Sequence, residues 1–263
     1  MRVKLGSLPA AAPFPWPHLL VYLSQRLIPA AESIEDDHYI RRVGEHRISV
    51  GFDPATYSLV VSADGDVDAD AILERVAAVF DIHHDAAPVT KHLQLSPVLA
   101  ARVASVPGMR PTAAWSPFEL CVRTILGQQV TVAAARTLMR RLVERCGEVT
   151  PELVIQADLA QMGMPGKRVE TVRTLAHAVL EQRVHFDQPW AKLEAELKQL
   201  PGFGPWTRGY LAIRLGREPD AFPESDIGLL RAAQADSPAA LLKMAEAWRP
   251  YRSYAATYLW ATT

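Results

Sequence analysis

The stretch LPGFGPWTRGY, Leu200 to Tyr210, sets two glycines and a proline between two segments of helical character. Gly202 and Gly204 have no side chains, so the chain can turn sharply there and another molecule can approach the backbone closely. Pro205 lacks an N–H and has a preset φ, which suits the first turn of a helix. The pattern predicts helix, tight hairpin, helix, with free N–H groups at a helix start. Such a start accepts a phosphate group without reading sequence. Spacing alone supports a plain glycine-closed turn equally well. Trp206 and Tyr210 are four apart and share one helical face. Asp226 follows, just ahead of IGLLRAA, where the helix dipole favours a carboxylate and an N-cap is the plain reading. In WRPYRSYAATYLW, the residues Tyr251, Tyr254 and Tyr258 form one stripe and Trp260 points roughly the opposite way, beside Ser253 and Ala256. The tyrosine stripe is assigned to the core.

The elements that must hold these residues fall into two parts. Residues 1–88 read as a small α+β unit. His18–Ile28 is a short helix, His38–Val43, His46–Phe52 and Tyr57–Ser62 are three antiparallel strands, and DVDADAILERVAAVFDI has helical spacing at Ile72, Val76 and Val79. APVTKHLQLSP reads as connection. Residues 89–263 read as an all-α bundle of about eight helices with no strand. Ser116, Pro117 and Glu119 form a capping-box start, Thr131 caps the helix that Gly147 closes, and Gly127-Gln128-Gln129 breaks the chain between those two helices.

Composition narrows the function class. The formal net charge is −1, but residues 1–95 hold 8 Lys/Arg against 13 Asp/Glu and residues 96–263 hold 20 against 16. The basic part could sit on phosphate, though charge alone is weak support. Two cysteines, Cys121 and Cys146, are too few for a four-cysteine cluster and fit buried helix positions. No apolar run reaches the roughly 18 residues of a membrane span. Pro13, Pro15 and Pro17 interrupt the segment a secretory signal would need, so the expected location is cytoplasmic. His83-His84 and the acidic run Glu32–Asp37 read as solvated. Arg249 and Arg252 suit either phosphate contact or cover for the last helix.

LPGFGPWTRGYLAIRLG followed by DAFPESDIGLLRA resembles the helix–hairpin–helix and Gly/Pro…Asp signature of the DNA glycosylase superfamily. ILGQQVTVAAARTL, MGMPGKRVETVRTLA and WRPYRSYAATYLW fall in the order of its AlkA-type 3-methyladenine branch, and the resemblance covers nearly the whole chain. It implies a TBP-like antiparallel α+β domain before a helix–hairpin–helix catalytic domain. It further implies excision of alkylated purines from damaged double-stranded DNA in base excision repair, by a monomer that joins the nucleoid when bound.

Each site residue then acquires a role. Asp226 falls on the family's essential carboxylate, which stabilises charge on the sugar or deprotonates water. Trp206, Tyr210, Trp260 and Gln128 line the pocket for a flipped base, where ring faces attract a cationic alkylated purine. Gln129 is the wedge that fills the gap left in the duplex. Pro201, Gly202, Phe203, Gly204 and Thr207 make the phosphate-binding hairpin. Strand-nicking relatives carry lysine where this sequence has Trp206, so the resemblance implies glycosylase without lyase activity. No cofactor or catalytic metal is expected; a structural monovalent cation on the carbonyls of Lys198, Leu200 and Phe203 is compatible with the family hairpin. The sequence departs from the branch at Gln129, where leucine is usual, and at Ile227 and Ala261, where tyrosines line the pocket. Those departures keep deaminated or oxidised bases open as substrates, and a non-catalytic DNA-binding module is the reading from another class.

Overall fold

The computed structural model describes residues 2–216 and 218–261. Five antiparallel strands, β1 (Val3–Pro9), β2 (Glu32–Glu35), β3 (His38–Val43), β4 (His46–Asp53) and β5 (Ser58–Ala63), form one sheet in the order β1-β5-β4-β3-β2. Two strands exceed the sequence expectation. β1 pairs with β5 through a bulge between Lys4 and Gly6, and β2 makes the opposite edge. The period-2 pattern explains why the sheet has one dry face: Ile48 and Val50 of β4, and Leu59, Val61 and Ala63 of β5, are wholly buried. Helices α1 (Trp16–Ser24) and α2 (Ala69–Phe80) supply apolar residues to the same core.

The segment expected as connection is a helix instead. α3 (Ala86–Leu93) is capped by Asp85, whose side chain accepts from the Ala87 N–H, and it buries Val89 and Leu93. The boundary expected at 88/89 therefore falls inside a helix. Ten further α-helices follow among the described residues, with no strand: α4 (Ala100–Ser105), α5 (Pro117–Leu126), α6 (Val132–Cys146), α7 (Pro151–Gln156), α8 (Gly166–Leu180), α9 (Trp190–Leu197), α10 (Pro205–Arg214), α11 (Ile227–Ala233), α12 (Pro238–Ala245) and α13 (Arg252–Ala261).

Buried side chains join sheet to bundle in one continuous apolar cluster. Two arginines reinforce the join. Arg110, fully buried, donates to the carbonyls of Pro13, Asp81 and Gly108 at 2.7, 2.8 and 3.0 Å. Arg41 of β3 donates to Glu119 of α5 at 2.7 Å. That contact revises the expected capping box. Ser116 does accept from the Glu119 N–H, but the Glu119 carboxylate turns to Arg41 rather than back to the cap. Burial pushes the Glu119 carboxyl up. Glu32 is likewise not solvated: it accepts from Tyr39 Oη at 2.6 Å and the Ile28 N–H at 2.7 Å, and lies 3.6 Å from Arg41. His84 stacks on Tyr254 at 4.6 Å instead of facing water, while Tyr258 is buried and Cys121 is fully enclosed.

Candidate functional site

α9, the turn at 198–204 and α10 form the expected hairpin. The structure separates the work of its two glycines. Gly202 adopts φ +82, and a Cβ there would stand 2.7 Å from Thr171 Cγ2 of α8, so only glycine closes the turn. Gly204 meets nothing within 4 Å and caps α10 without a side-chain bond. The first N–H groups of α10 thus have no intrahelical partner and an open approach. Phe203 and Thr207 turn inward and are buried, so their side chains anchor the hairpin rather than face a phosphate. The Thr207 hydroxyl donates to the Gly202 carbonyl at 3.1 Å. Arg208 donates to the Phe203 carbonyl and is held by Glu194 at 3.1 Å. A protein cation already stands on one of the three carbonyls expected to hold a monovalent ion, so an ion there would share that oxygen with a guanidinium.

Gln128 corrects an expectation. Its amide donates to the Gly202 carbonyl at 2.7 Å and to Thr207 Oγ1 at 3.1 Å, and its own carbonyl accepts from Arg168 of α8 at 2.7 Å. It ties the break between α5 and α6 to the hairpin and does not line a base pocket. Gln129 next to it is exposed, with φ 56 in the left-handed region.

Asp226 collects the remaining residues. It caps α11, with Oδ1 accepting from the Leu229 N–H at 2.9 Å. Trp260 Nε1, from α13, donates to the same oxygen at 3.0 Å, and Trp206 Nε1, from α10, donates to Oδ2 at 2.9 Å. Three elements distant in sequence converge on one half-buried carboxylate. A carboxylate oxygen can accept twice, so Oδ1 is filled by the protein and, among the described residues, Oδ2 keeps one free lone pair. The plain N-cap reading holds for this residue, and two indole donors from other elements meet on the same carboxylate.

The rings pack more tightly than open pocket walls. Trp206 stacks on Tyr210 at 5.6 Å and 16°, and Tyr210 meets Trp260 edge-on at 5.6 Å. Tyr210 is buried between them, with its hydroxyl taking a bond from Arg214 at 3.1 Å, so it supports the site instead of presenting a free face. Burial alone would raise its phenol, but Arg214, Arg123 and Arg26 outweigh it and lower the group to about 8. Sequence reasoning missed that α1 and the turn after it contribute here: the Arg26 guanidinium lies 3.7 Å over Tyr22 and 5.8 Å from the Trp260 ring. The signal was present, because Tyr22 and Arg26 are four apart in the stretch His18–Ile28 expected as helix, although α1 ends at Ser24. Arg249 and Arg252 both bind Asp220, so both are spent within the protein.

The AlkA N-terminal domain matches residues 6–116, and the domain described as HhH-GPD superfamily base excision DNA repair protein matches residues 122–241. DNA-3-methyladenine glycosylase 2 of Escherichia coli is 32% identical over 95% of this chain and 94% of its own. The chain belongs to the AlkA-type 3-methyladenine DNA glycosylase family. A probable bifunctional transcriptional activator/DNA repair enzyme AlkA of Mycobacterium tuberculosis is 31% identical over 97% of the chain, which spans only 56% of that relative. The 3-methyladenine DNA-glycosylase from Archaeoglobus fulgidus shares the fold, with a TM-score of 0.81 over 99% of this chain and 97% of its own at 17% identity.

Within this AlkA-type chain two of the three departures named from sequence lie beside the carboxylate and Trp260. Ile227, directly after Asp226, is 62% exposed, an apolar side chain left open beside the carboxylate. Ala261 ends α13 next to Trp260 and is half-buried. Among the described residues, no helix is long and apolar enough to cross a membrane.

Proposed function

We propose that this chain is a monofunctional DNA glycosylase that hydrolyses the N-glycosidic bond of alkylated purines in double-stranded DNA, leaving an abasic site in an intact strand. The observation that carries the reading is the Asp226 carboxylate, fixed by two indole N–H groups and one backbone N–H beside a hairpin open to phosphate. The E. coli relative named DNA-3-methyladenine glycosylase 2 supports the substrate class.

The hairpin grips the backbone of the strand through the N–H groups at the start of α10. Gln129 enters the duplex where the damaged nucleotide leaves it, and the flipped base stacks on the half-exposed Trp206. N-alkylation makes the purine cationic, so it leaves C1′ with the bonding electron pair as a neutral base. Positive charge then develops on the sugar. Asp226 stabilises it, and Oδ2, the oxygen with a free lone pair, takes the proton of the water that attacks C1′. Trp206 stands where a Schiff-base lysine would be needed, so the strand is not cut. One hairpin and one carboxylate suffice for one lesion, which supports action as a monomer on DNA in the cytoplasm.

The test treats duplex DNA with a methylating agent and follows released bases and strand integrity, with Asp226→Asn in parallel. Release of 3-methyladenine or 7-methylguanine from intact strands, lost in Asp226→Asn while DNA binding persists, is expected. Release of only deaminated or oxidised bases would move the substrate class to the one that Ile227, Ala261 and Gln129 keep open. DNA binding without release of any base, alike in parent and Asp226→Asn, would leave a DNA-binding module.

A further inference from the structure

Gly228 is the second residue of α11, two positions after Asp226. Its φ lies outside the left-handed region, so the backbone does not call for glycine. Helix propensity argues against glycine too, by up to about 1 kcal/mol relative to alanine. What calls for it is the space next to it. A Cβ at 228 would stand 3.0 Å from Asp226 Oδ1, 3.5 Å from Trp260 Cδ1 and 3.7 Å from Trp260 Nε1. The first contact is tighter than carbon and oxygen ordinarily pack. The other two are the indole edge that donates to that same oxygen.

Neither neighbour yields freely. Asp226 Oδ1 is pinned by the Leu229 N–H at 2.9 Å and by Trp260 at 3.0 Å. Trp260 is buried and set edge-on against Tyr210. A methyl group at 228 would lie in ordinary contact with the indole but must displace the carboxylate by roughly a few tenths of an ångström.

We propose that Gly228 is a positioning residue: the absence of a side chain lets Asp226 Oδ1 stay where the Trp260 indole donates to it and so sets the direction in which the carboxylate faces the reacting sugar. The inference rests on the reading of Asp226 as the acting carboxylate. It makes stability and activity move in opposite directions. Alanine at 228 favours the helix, yet it misplaces the group that does the chemistry. A misplacement of about 1 Å can cost about 100-fold in rate, so a few tenths should cost about tenfold.

The experiment compares the wild type with Gly228→Ala, Trp260→Phe, the double variant and Asp226→Asn. For each, the melting temperature, single-turnover excision from methylated duplex, affinity for a duplex with an abasic-site analogue, and the indole N–H resonances are measured. Loss of one resonance in Trp260→Phe assigns it to Trp260. In Gly228→Ala the expected results are an equal or higher melting temperature, affinity within about twofold, excision about tenfold slower, and an upfield shift of the Trp260 indole proton. In the Trp260→Phe background, where Oδ1 is freer to move, the same substitution should cost less than about threefold. An unmoved indole resonance, or an unchanged excision rate in Gly228→Ala, overturns the proposal. If Asp226→Asn excises at full rate, the reading of Asp226 as the acting carboxylate fails and this role fails with it. If Asp226→Asn is inactive and Gly228→Ala is not, the positioning role fails alone.

Discussion

Trp206→Phe removes one N–H and little else. The six-membered ring can still stack on Tyr210, as the indole does at 5.6 Å and 16°, while the 2.9 Å bond to Asp226 Oδ2 disappears. Oδ1 keeps both of its donors, so Oδ2 becomes an oxygen with no protein partner among the described residues. A hydrogen bond to a charged group is worth about 1.5–3 kcal/mol. Trp206 and Asp226 are both half-buried, so water replaces part of the loss and the lower end applies. If that energy is spent on holding the carboxylate toward the sugar, about 1.4 kcal/mol appears in the barrier and the single-turnover rate falls about tenfold. Affinity for abasic-analogue duplex should stay within about twofold, because the hairpin is untouched. The assay pairs rapid-quench excision from methylated duplex with fluorescence anisotropy on the same protein. A rate within about twofold of wild type would refute the claim that this bond orients the carboxylate. A fall in affinity that accounts for the whole loss of rate would refute it as well.

Glu119→Ala leaves Arg41 buried with only Glu32, 3.6 Å away, and should cost about 3 kcal/mol. In differential scanning calorimetry that is a fall of about 6 °C or more for a chain of this size. Burial lowers the pKa of His84, whose Nδ1 lies 3.1 Å from Tyr254 Oη. Its contribution to stability is therefore present above the ordinary histidine value of about 6.5 and is lost as pH falls through the lower folded value. The melting temperature of wild type should decline in that acidic window, and the decline should be shallower in His84→Phe. Because Arg208 already brings positive charge to the Phe203 carbonyl, DNA affinity should be equal within about twofold in sodium, potassium and lithium chloride at matched ionic strength. A clear preference for one ion, read by anisotropy, would restore the cation site.

The sequence by itself determined the local features. Cap residues sit where the chain must start or stop hydrogen bonding, so Ser116, Thr131, Asp226 and Gly147 mark helix ends that the structure keeps. β-Branched and aromatic residues broken by Gly44 and by Asp53-Pro54 marked β3, β4 and β5, which carry the buried residues of the sheet. β1 and β2 were harder to read, since each is an edge strand with no fully buried residue. The hairpin was legible because glycine and proline act on the backbone at their own positions.

Tertiary structure alone decided where the polar groups go. Glu119 has the right spacing for a capping box, yet it answers Arg41, 78 positions away, because a buried guanidinium demands a partner more strongly than a helix start that Ser116 already serves. Gln128 turns to the hairpin, 74 positions away, rather than to a pocket. Nothing local in IGLLRAA shows that the second residue must be glycine. That need arises only when α13 lays the Trp260 indole against Asp226, 34 positions earlier. Backbone preferences act within a turn or two and can be read along the chain, whereas close packing and buried charge depend on which distant elements meet.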